Sequence, residues 1–250
     1  MKIAFCFLTY DIIIRYDVWN HFFDNIEKDK YIVFIHPKNI INSNFYTFNY
    51  NIVKNRVNTT SKDNIHIVKA TLKLLEETYI SDNNITHFIF LSQSCIPLYS
   101  FNKIYDVIIK FQYSVISHID HNKKERYFQL SNIIKKFINY NHFIKQQPNM
   151  ILTRNDVELL IKHDLTEHFR IMICPDEHYF INILPHIFKK ILIRKQISFC
   201  NNDLKKTQAL EFKNVNKNFI NSIRNQGFLF MRKVKNNTFI DIKYLFMNKL

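Results

Sequence analysis

The sequence predicts an α/β domain with a mainly parallel central sheet flanked by helices, and three observations lead to this prediction. Short apolar runs of strand length alternate with longer stretches of helical periodicity for most of the chain. No linker, repeat or low-complexity block marks a boundary, so we expect residues 1–250 to form a single domain. At 250 residues and 47% hydrophobic composition, the chain can bury one sizeable core.

The expected elements follow in chain order. Apolar runs rich in β-branched and aromatic residues predict strands at 2–9, 31–36, 87–92, 113–119 and 191–199. Stretches with helical spacing predict helices at 18–26, 63–80, 101–111, 155–163 (capped by Asn155) and 176–187. A further strand-like run at 227–235 ends in cations, and residues 236–250 are expected to form a C-terminal helical extension. In sheets of this kind ligands bind at the carboxyl ends of the strands, which directs attention to His36 and Ser92.

The single glycine, Gly227, excludes two classes of nucleotide-binding protein. The dinucleotide fingerprint and the P-loop both need several positions without a Cβ atom, because the backbone there approaches phosphate closely. A Rossmann dehydrogenase and a P-loop NTPase are therefore excluded.

The chain is strongly basic, with 35 Lys and Arg against 21 Asp and Glu and a net charge of +14. Heavy use of Asn, Ile and Lys is typical of an AT-rich genome, so part of this charge reflects codon composition. A basic surface favours anionic partners such as phosphates, nucleic acid or acidic glycans. Because no nucleic-acid-binding motif accompanies the charge, a specific nucleic-acid partner is not expected.

Neither a membrane span nor a signal peptide is expected. No apolar run reaches the roughly 18–20 residues that cross a bilayer. The apolar start alternates like a strand and lacks a small-residue cleavage site. The four cysteines (Cys6, Cys95, Cys174 and Cys200) form no C-x-x-C pair, so a structural zinc is not expected. Reduced buried thiols are the favoured interpretation, with one or two disulfides as the alternative.

The segment LSQSCIPLYSF (91–101) puts small polar residues directly after a predicted buried strand. Ser92 and Ser94 at a strand tip have hydroxyls available to a ligand. The alternative is an ordinary strand-to-helix turn in which serine and proline favour the turn.

The segment ICPDEHYFINIL (173–184) puts Asp176, Glu177 and His178 in the first turn of a predicted helix that starts near Pro175. Acidic residues are common there because they suit the helix dipole, and this is the structural alternative. The functional interpretation is a carboxylate that faces a cleft and acts as a general base.

A catalytic metal is not expected. Two groups of candidate ligands exist, His118 with Asp120 and His121, and Asp176 with His178. Neither has the spacing of a helical ligand pair or a clear third ligand, and the chain contains no Asp-x-Asp.

Cations follow the strand-like run at 227–235, namely Arg232, Lys233 and Lys235. Solvated charges at a strand end are one interpretation. Fixed positive charges directed at a phosphate group are the other.

Together these motifs resemble the core-2/I-branching β-1,6-N-acetylglucosaminyltransferase family, with its peptide xylosyltransferase and plant relatives. Seven segments match in the family's order over most of residues 2–235: KIAFCFLTYD with VWNHFF, YIVFIHPKN, NRVNTTSKDNIHIVKATLKLLEE, FIFLSQSCIPLYSFNKIYDVI, QQPNMILTRNDVELL, PDEHYF and GFLFMRKV. Each motif alone is weak, but seven in order make coincidence improbable.

The resemblance implies a GT-A-like (Rossmann-like) fold and transfer of a sugar from a UDP-sugar, of the N-acetylglucosamine or xylose class, to a glycan or protein hydroxyl. It implies inversion in one displacement without a metal or other cofactor. Glu177 falls on the family's base and Lys233 on its phosphate-binding lysine, with Arg232 beside it. Further substrate contacts are expected from Ser92 and Ser94 near donor or acceptor, from Gln147 and Arg154 on the acceptor side, and from His36 and Asp176.

The sequence departs from the family pattern at three places. Leu210 stands where the family has a second basic residue, Pro148 replaces a tryptophan, and Gln93 replaces an acid. Cations that could compensate for Leu210 are Lys205, Lys206 and Arg224.

The resemblance also bears on partners and location. It implies a nucleotide-sugar donor and a glycan or glycoprotein acceptor. The family suggests a Golgi or secretory membrane, whereas the lack of a signal or anchor in this sequence suggests the cytoplasm equally. Two alternatives remain open, a catalytically inactive relative that binds glycans or nucleotide sugars, and a basic nucleic-acid-binding protein.

Overall fold

A seven-stranded mixed sheet with helices on both faces forms the centre of the protein, in a computed structural model that describes residues 1–40, 45–59, 65–119, 124–201 and 210–246. The described strands are β1 Lys2–Thr9, β2 Tyr31–Pro37, β3 Asn51–Ile52, β4 Ile85–Ser92, β5 Ile96–Pro97, β6 Ser114–Ile119, β7 Lys145–Thr153, β8 Leu192–Ile193, β9 Ser198–Cys200, β10 Phe212–Val215, β11 Phe230–Arg232 and β12 Val234–Ile240. The α-helices are α1 Tyr16–Phe23, α2 Ile65–Ser81, α3 Phe101–Ile108, α4 Asn132–Lys135, α5 Arg154–Lys162, α6 Tyr179–His186, α7 Lys217–Asn225 and α8 Ile242–Phe246. Short 3₁₀ helices cover Lys124–Gln129, Tyr140–His142, Thr166–Phe169 and Pro175–Glu177.

The strand order of the main sheet is β3-β2-β1-β4-β7-β6-β8. Strands β1, β2, β3 and β4 run parallel to one another, and β6 runs parallel to β8. Strand β7 runs antiparallel to both of its neighbours, β4 and β6. This architecture confirms the predicted α/β class with a mainly parallel sheet.

The alternation of side chains along the strands supplies an apolar core on each face of the main sheet. On one face Phe88 and Phe90 of β4 pack with α2, α5 and α6. On the other face Ile89 and Leu91 pack with α1 and α3, where Trp19 is fully buried. A third cluster joins α7 and α8 to two small sheets, β5-β11-β9 and β10-β12.

Several predicted boundaries differ from the observed ones. The predicted strand at 191–199 is two short strands, β8 and β9, because the polar run between them belongs to neither sheet. The helix predicted at 155–163 starts at Arg154, with Thr153 at the N-cap position. Residues 236–240 of the expected C-terminal extension belong to the strand β12, and helix covers only Ile242–Phe246. Residues 247–250 lie outside the described part.

The strand β7 was not predicted. Its sequence, KQQPNMILT, begins with polar residues and a proline, so only its second half has the apolar character of a buried strand. All four cysteines are free, in agreement with the reduced-thiol interpretation. In the described ranges, no helix has both the length and the apolar character needed to cross a membrane.

Candidate active site

The carboxyl edge of the main sheet brings together residues from four strands. His36 of β2 and Ser92 of β4 both pair with Leu8, so they flank β1 at the same level. Because β7 runs in the opposite direction, its first residues reach this same edge. Lys145, the first residue of β7, pairs with Ile119 at the carboxyl end of β6.

The Pro175–Glu177 turn carries the predicted base at this edge. Cys174 precedes it with φ of 54°, in the left-handed region that costs a non-glycine residue free energy. The Cys174 carbonyl accepts a hydrogen bond from the Glu177 amide at 3.1 Å. The predicted helix at 176–187 is therefore a 3₁₀ turn followed by α6, which begins only at Tyr179. Glu177 therefore lies in a turn before α6 and not within that helix.

Two cations hold the Glu177 carboxylate. Arg126 Nη1 donates to Oε2 at 2.7 Å, and Lys145 Nζ lies 3.0 Å from the same oxygen. The Arg126 and Lys145 side chains are 9% and 14% exposed and that of Glu177 is 25% exposed, so these pairs are only partly screened by water. Burial alone would raise the pKa of Glu177, but the two cations lower it below its ordinary value of 4.5. Glu177 is therefore ionised at neutral pH.

The residues on either side of Glu177 have pKa values shifted in opposite directions. Burial, together with the neighbouring Glu177 charge, raises the pKa of Asp176 to about 6. Burial lowers the pKa of His178 to about 4. His178 is therefore neutral at pH 7; its Nδ1 lies 3.0 Å from the Ile144 carbonyl, and its Nε2 lies 3.3 Å from Arg126 Nη1. In this tautomer Nδ1 donates and Nε2 accepts.

These opposite shifts give a prediction for Asp176→Asn. A raised carboxyl pKa contributes stability below the unfolded pKa of 3.8, and this contribution is lost as the pH rises through about 6. The lowered pKa of His178 has the opposite effect. Its contribution to stability is present above pH 6.5 and is lost as the pH falls towards about 4. In the wild type the two contributions oppose each other between about pH 4 and 6. The variant should be more stable than the wild type at pH 7, by up to about 3 kcal/mol, and should keep only about 1 kcal/mol of this advantage at pH 4.5.

Urea denaturation at pH 7 and pH 4.5 measures this difference. The matched control is Asp106→Asn, which removes an exposed carboxylate from α3. An Asp176→Asn variant that has the same stability as the wild type at pH 7 would show that Asp176 is not destabilised by its surroundings.

The predicted phosphate-binding cations lie beside the segment that follows β4. The Val234 amide donates to the Ser94 carbonyl at 3.0 Å, which holds Lys233 next to the predicted serine segment. Arg232 pairs with Cys200 of β9. Burial raises the pKa of the Cys200 thiol, and the charges of Arg232 and Lys233 oppose this rise, so both cations lie near Cys200.

The Arg232 guanidinium is incompletely satisfied. Its Nε and Nη1 atoms are buried and have no hydrogen-bond partner in the described part of the chain. A buried cationic donor without an acceptor costs free energy, which an anionic ligand would recover.

A hydrogen-bonded cluster connects Ser92 to β7. Ser92 Oγ lies 3.4 Å from Ser94 Oγ and 3.2 Å from Cys95 Sγ. Asn149 Nδ2 of β7 donates to the same sulfur at 3.1 Å and to Ser198 Oγ at 2.6 Å. The two serines are therefore part of a network under the strand ends, with Ser92 partly exposed and Ser94 buried.

His36 and Gln147 are both buried at this edge. His36 Nε2 accepts a hydrogen bond from the Val57 amide at 3.0 Å, so the proton of the neutral ring is on Nδ1. That Nδ1 is buried with no partner among the described residues. Burial also lowers the pKa of His36, which favours the neutral ring.

Two arginines do not have the roles expected of them. Arg154 lies at the far end of β7, at the opposite edge of the sheet, where it donates to the carbonyls of Asp82, Ile85 and Tyr79 and stacks on the Tyr79 ring. The expectation that it lines the acceptor side disagrees with this position.

Arg224 cannot compensate for Leu210 as expected, because its guanidinium is already engaged. It donates to the carbonyls of Leu98 and Leu245 at 2.6 and 2.7 Å and packs over the Tyr99 ring. The other compensating candidates, Lys205 and Lys206, lie outside the described residues. Asp120 and His121, considered above as metal ligands, also lie outside them.

The other departures have local structural roles. Gln93 Oε1 accepts from the Tyr10 amide and the Gln93 carbonyl accepts from the Ile14 amide, so this side chain and backbone fix the loop after β1. Leu210 donates its amide to the Asn201 carbonyl. Across the described ranges, no group of three or more His, Cys, Asp or Glu side chains could hold a metal ion.

Sequence reasoning missed Arg126 and Lys145. Arg126 lies in the connection between β6 and β7, where no motif marks it, and it meets Glu177 only because both segments reach the same sheet edge. Lys145 directly precedes the QQPNM motif. Its position at the sheet edge can be inferred only if β7 is predicted as a strand.

Comparison with known proteins shows the family of the chain. The sequence profile of the Core-2/I-Branching enzyme family matches residues 3–224. The chain belongs to this family. The match includes Glu177, Arg126 and Lys145 and ends before Arg232 and Lys233.

Among curated proteins, this family member is similar to glycosyltransferase BC10 of rice (Oryza sativa subsp. japonica), with 25% identity over 167 residues. That alignment covers 65% of the chain and 41% of the rice protein. The chain thus spans less than half of the length of the curated relative that it matches.

Solved structures give weaker likenesses. The bifunctional glycosyltransferase WbbM in its apo form shares 9% identity at a TM-score of 0.47, with 92% of this chain and 45% of that one covered. The galactosyltransferase LgtC in complex with donor and acceptor sugar analogs shares 12% identity at a TM-score of 0.43, with 80% and 75% covered. Mouse xyloside xylosyltransferase 1 shares 7% identity at 0.45, with 80% and 88% covered. At these scores the likenesses add nothing to the fold described above, and the family match carries the assignment.

Proposed function

We propose that the protein is an inverting glycosyltransferase that moves a sugar from a UDP-sugar to a hydroxyl group of a glycan or glycoprotein, without a metal ion. N-acetylglucosamine or xylose is the proposed class of sugar. Two observations carry the proposal. Glu177 is ionised and held by two cations at the carboxyl edge of the main sheet. Arg232, next to Lys233, is buried with unsatisfied donors beside the segment that follows β4.

In the proposed reaction the acceptor hydroxyl oxygen attacks the anomeric carbon from the face opposite the diphosphate. The new C–O bond forms as the bond to the diphosphate breaks, through an oxocarbenium-like state, and the leaving diphosphate keeps the bonding electron pair. The hydroxyl proton goes to Glu177. Since both cations contact Oε2, we assign proton acceptance to Oε1.

Positive charge must balance the diphosphate as it leaves. Arg232 and Lys233 are the proposed donors, because fixed cations in a partly buried site stabilise developing negative charge without reorganisation. The proposed polar contacts to the substrates are His36 Nδ1, Ser92 and Gln147 at the carboxyl edge of the main sheet. Ser94 and Asp176 are proposed as further polar residues of the same site. The proposal that no metal takes part rests on the two cations Arg232 and Lys233, which would supply the positive charge that a metal ion otherwise gives.

A thermal-shift screen of nucleotides and nucleotide sugars in the presence of EDTA tests this function. One UDP-sugar should raise the melting temperature specifically, since a ligand at one hundred times its Kd stabilises the folded state by about 2.7 kcal/mol. NMR of the product with that donor should show the inverted anomeric configuration. Loss of the shift in EDTA and its return with a divalent ion would contradict metal independence. Steeply salt-dependent binding of nucleic acid, with no response to sugar nucleotides, would favour the nucleic-acid alternative.

A further inference from the structure

The connection between β6 and β7 exposes a pair of aromatic rings. Phe128 is 66% exposed and Tyr140 is 39% exposed, although rings of this size bury large areas in most proteins. Their centroids lie 5.6 Å apart with the planes tilted by 34°. Tyr127 packs edge-on against both, at 5.8 Å from Phe128 and 5.4 Å from Tyr140. The rings are therefore held in place by packing rather than dispersed over the surface.

This pair is physically continuous with the candidate active site. Phe128 follows Arg126 by two residues in the same 3₁₀ helix, which puts their Cα atoms at most about 7.6 Å apart. A chain of ring contacts also runs inward from Tyr127 to Phe143 at 5.8 Å, and from Phe143 to His178 at 4.7 Å. Gln129 Oε1 accepts from the Ile173 amide at 2.8 Å, which ties the segment to the residues before Glu177.

We propose that Phe128 and Tyr140 form a platform for a sugar ring of the acceptor glycan, at a position beyond the sugar that carries the reacting hydroxyl. The inference rests on the proposed function, because it names where the acceptor of that reaction extends. We call this surface the Phe128–Tyr140 platform.

The size and chemistry of the platform favour a sugar over a protein. A pyranose ring has an apolar C–H face that packs on an aromatic ring and a polar rim that keeps its hydroxyls in water. Two aromatic side chains supply at most about 500 Å², whereas stable protein interfaces bury about 1,200–2,000 Å² in total. Such a platform adds affinity for longer acceptors and contributes nothing to the chemistry at Glu177.

Direct glycan binding without donor tests the platform. The probes are N-acetylglucosamine, its β-1,4-linked di-, tri- and tetrasaccharides, and galactose-containing oligosaccharides of the same lengths, with Kd measured by ligand-observed NMR. The wild type should bind oligosaccharides more tightly than the monosaccharide. Phe128→Ala and Tyr140→Ala should each weaken oligosaccharide binding about tenfold and leave monosaccharide binding unchanged. Phe128→Tyr keeps a ring and should retain binding, and Phe128→Leu keeps apolar volume without a ring and should not.

The matched control is Phe239→Ala, which removes an aromatic ring from β12 that is 71% exposed, close to the 66% of Phe128. Unchanged oligosaccharide binding in the Phe128→Ala and Tyr140→Ala variants, or no binding of any probe by the wild type, would overturn the proposal. Sedimentation of the same variants identifies the competing occupant. A wild-type dimer that Phe128→Ala converts to a monomer, with glycan binding unaffected, would assign the platform to a second copy of the chain. Glycan binding through the platform without any response to UDP-sugars would instead contradict the proposed transferase function and leave the platform in place.

Discussion

Replacing Glu177 by glutamine is expected to lower kcat by about 10²–10⁴-fold while donor binding is retained. Glutamine keeps the size of the side chain but cannot take a proton from the acceptor hydroxyl. The diphosphate contacts proposed for Arg232 and Lys233 do not involve this carboxylate, so the thermal shift caused by UDP should persist. Steady-state kinetics with the donor found in the screen, together with that shift, measure both parts.

The glutamine variant also leaves Arg126 and Lys145 without their shared counter-charge. Because the pair is partly buried, we expect a loss of stability of about 1–3 kcal/mol, so activity must be compared well below the melting temperature. Glu177→Asp is the matched variant, since it keeps the charge and withdraws the carboxylate by one methylene. It should be more stable than Glu177→Gln and still be impaired. Unchanged turnover in Glu177→Gln would disprove the assignment of Glu177 as the base.

Replacing Arg232 by methionine is expected to have opposite effects on activity and stability. Loss of one donor to the developing diphosphate charge should lower kcat/KM by about 10²–10³-fold. The same change removes two buried donor nitrogens that lack partners among the described residues, so the free energy of unfolding should rise by about 1–2 kcal/mol. A residue that only supports the fold would lower stability when it is removed.

Lys233→Met should lower activity to a similar degree, because Lys233 is the other proposed contact to the diphosphate. Lys235→Met is the matched control, since it removes the same charge two residues away. Lys235 is 52% exposed and forms its ion pair with Glu211 at 2.5 Å, so we expect less than about 1 kcal/mol of change and normal turnover. Urea denaturation and donor KM measure these effects. An Arg232→Met variant that loses stability and binds UDP normally would contradict the proposed role.

The strands that carry the site could be predicted from sequence where one physical effect dominates. The run at 87–92 has apolar residues on both faces because β4 is covered on both faces, and its boundaries agree closely with the observed Ile85–Ser92. Strand β7 could not be predicted in the same way. Its first residues lie at the carboxyl edge of the sheet and take part in hydrogen bonds there. Gln146, Gln147 and Asn149 are therefore buried but polar, and the apolar pattern that predicts a strand is missing.

The residues of the candidate site differ in the same way, since some can be predicted from a local motif and others depend on distant contacts. Glu177 could be proposed from its local motif, since an acidic residue after a proline at a segment start is visible in the sequence. Arg126 could not, because its function depends on a contact across 51 positions of the chain. Arg154 illustrates the converse error. It stands in a recognisable motif, but β7 carries it through the sheet to the far edge, and only the strand direction reveals this.

The position of Arg126 has a consequence for how such enzymes could diverge. The β6–β7 connection supplies Arg126, one of the two cations that keep Glu177 ionised, and also the exposed rings Phe128 and Tyr140. If Glu177 is the base and the platform binds the acceptor, as proposed, exchange of this one segment for that of a relative would alter acceptor preference and the pH dependence of turnover in a single step. On the same proposal, variation confined to this connection would let a lineage acquire a new glycan partner while the residues proposed to bind the donor stay unchanged.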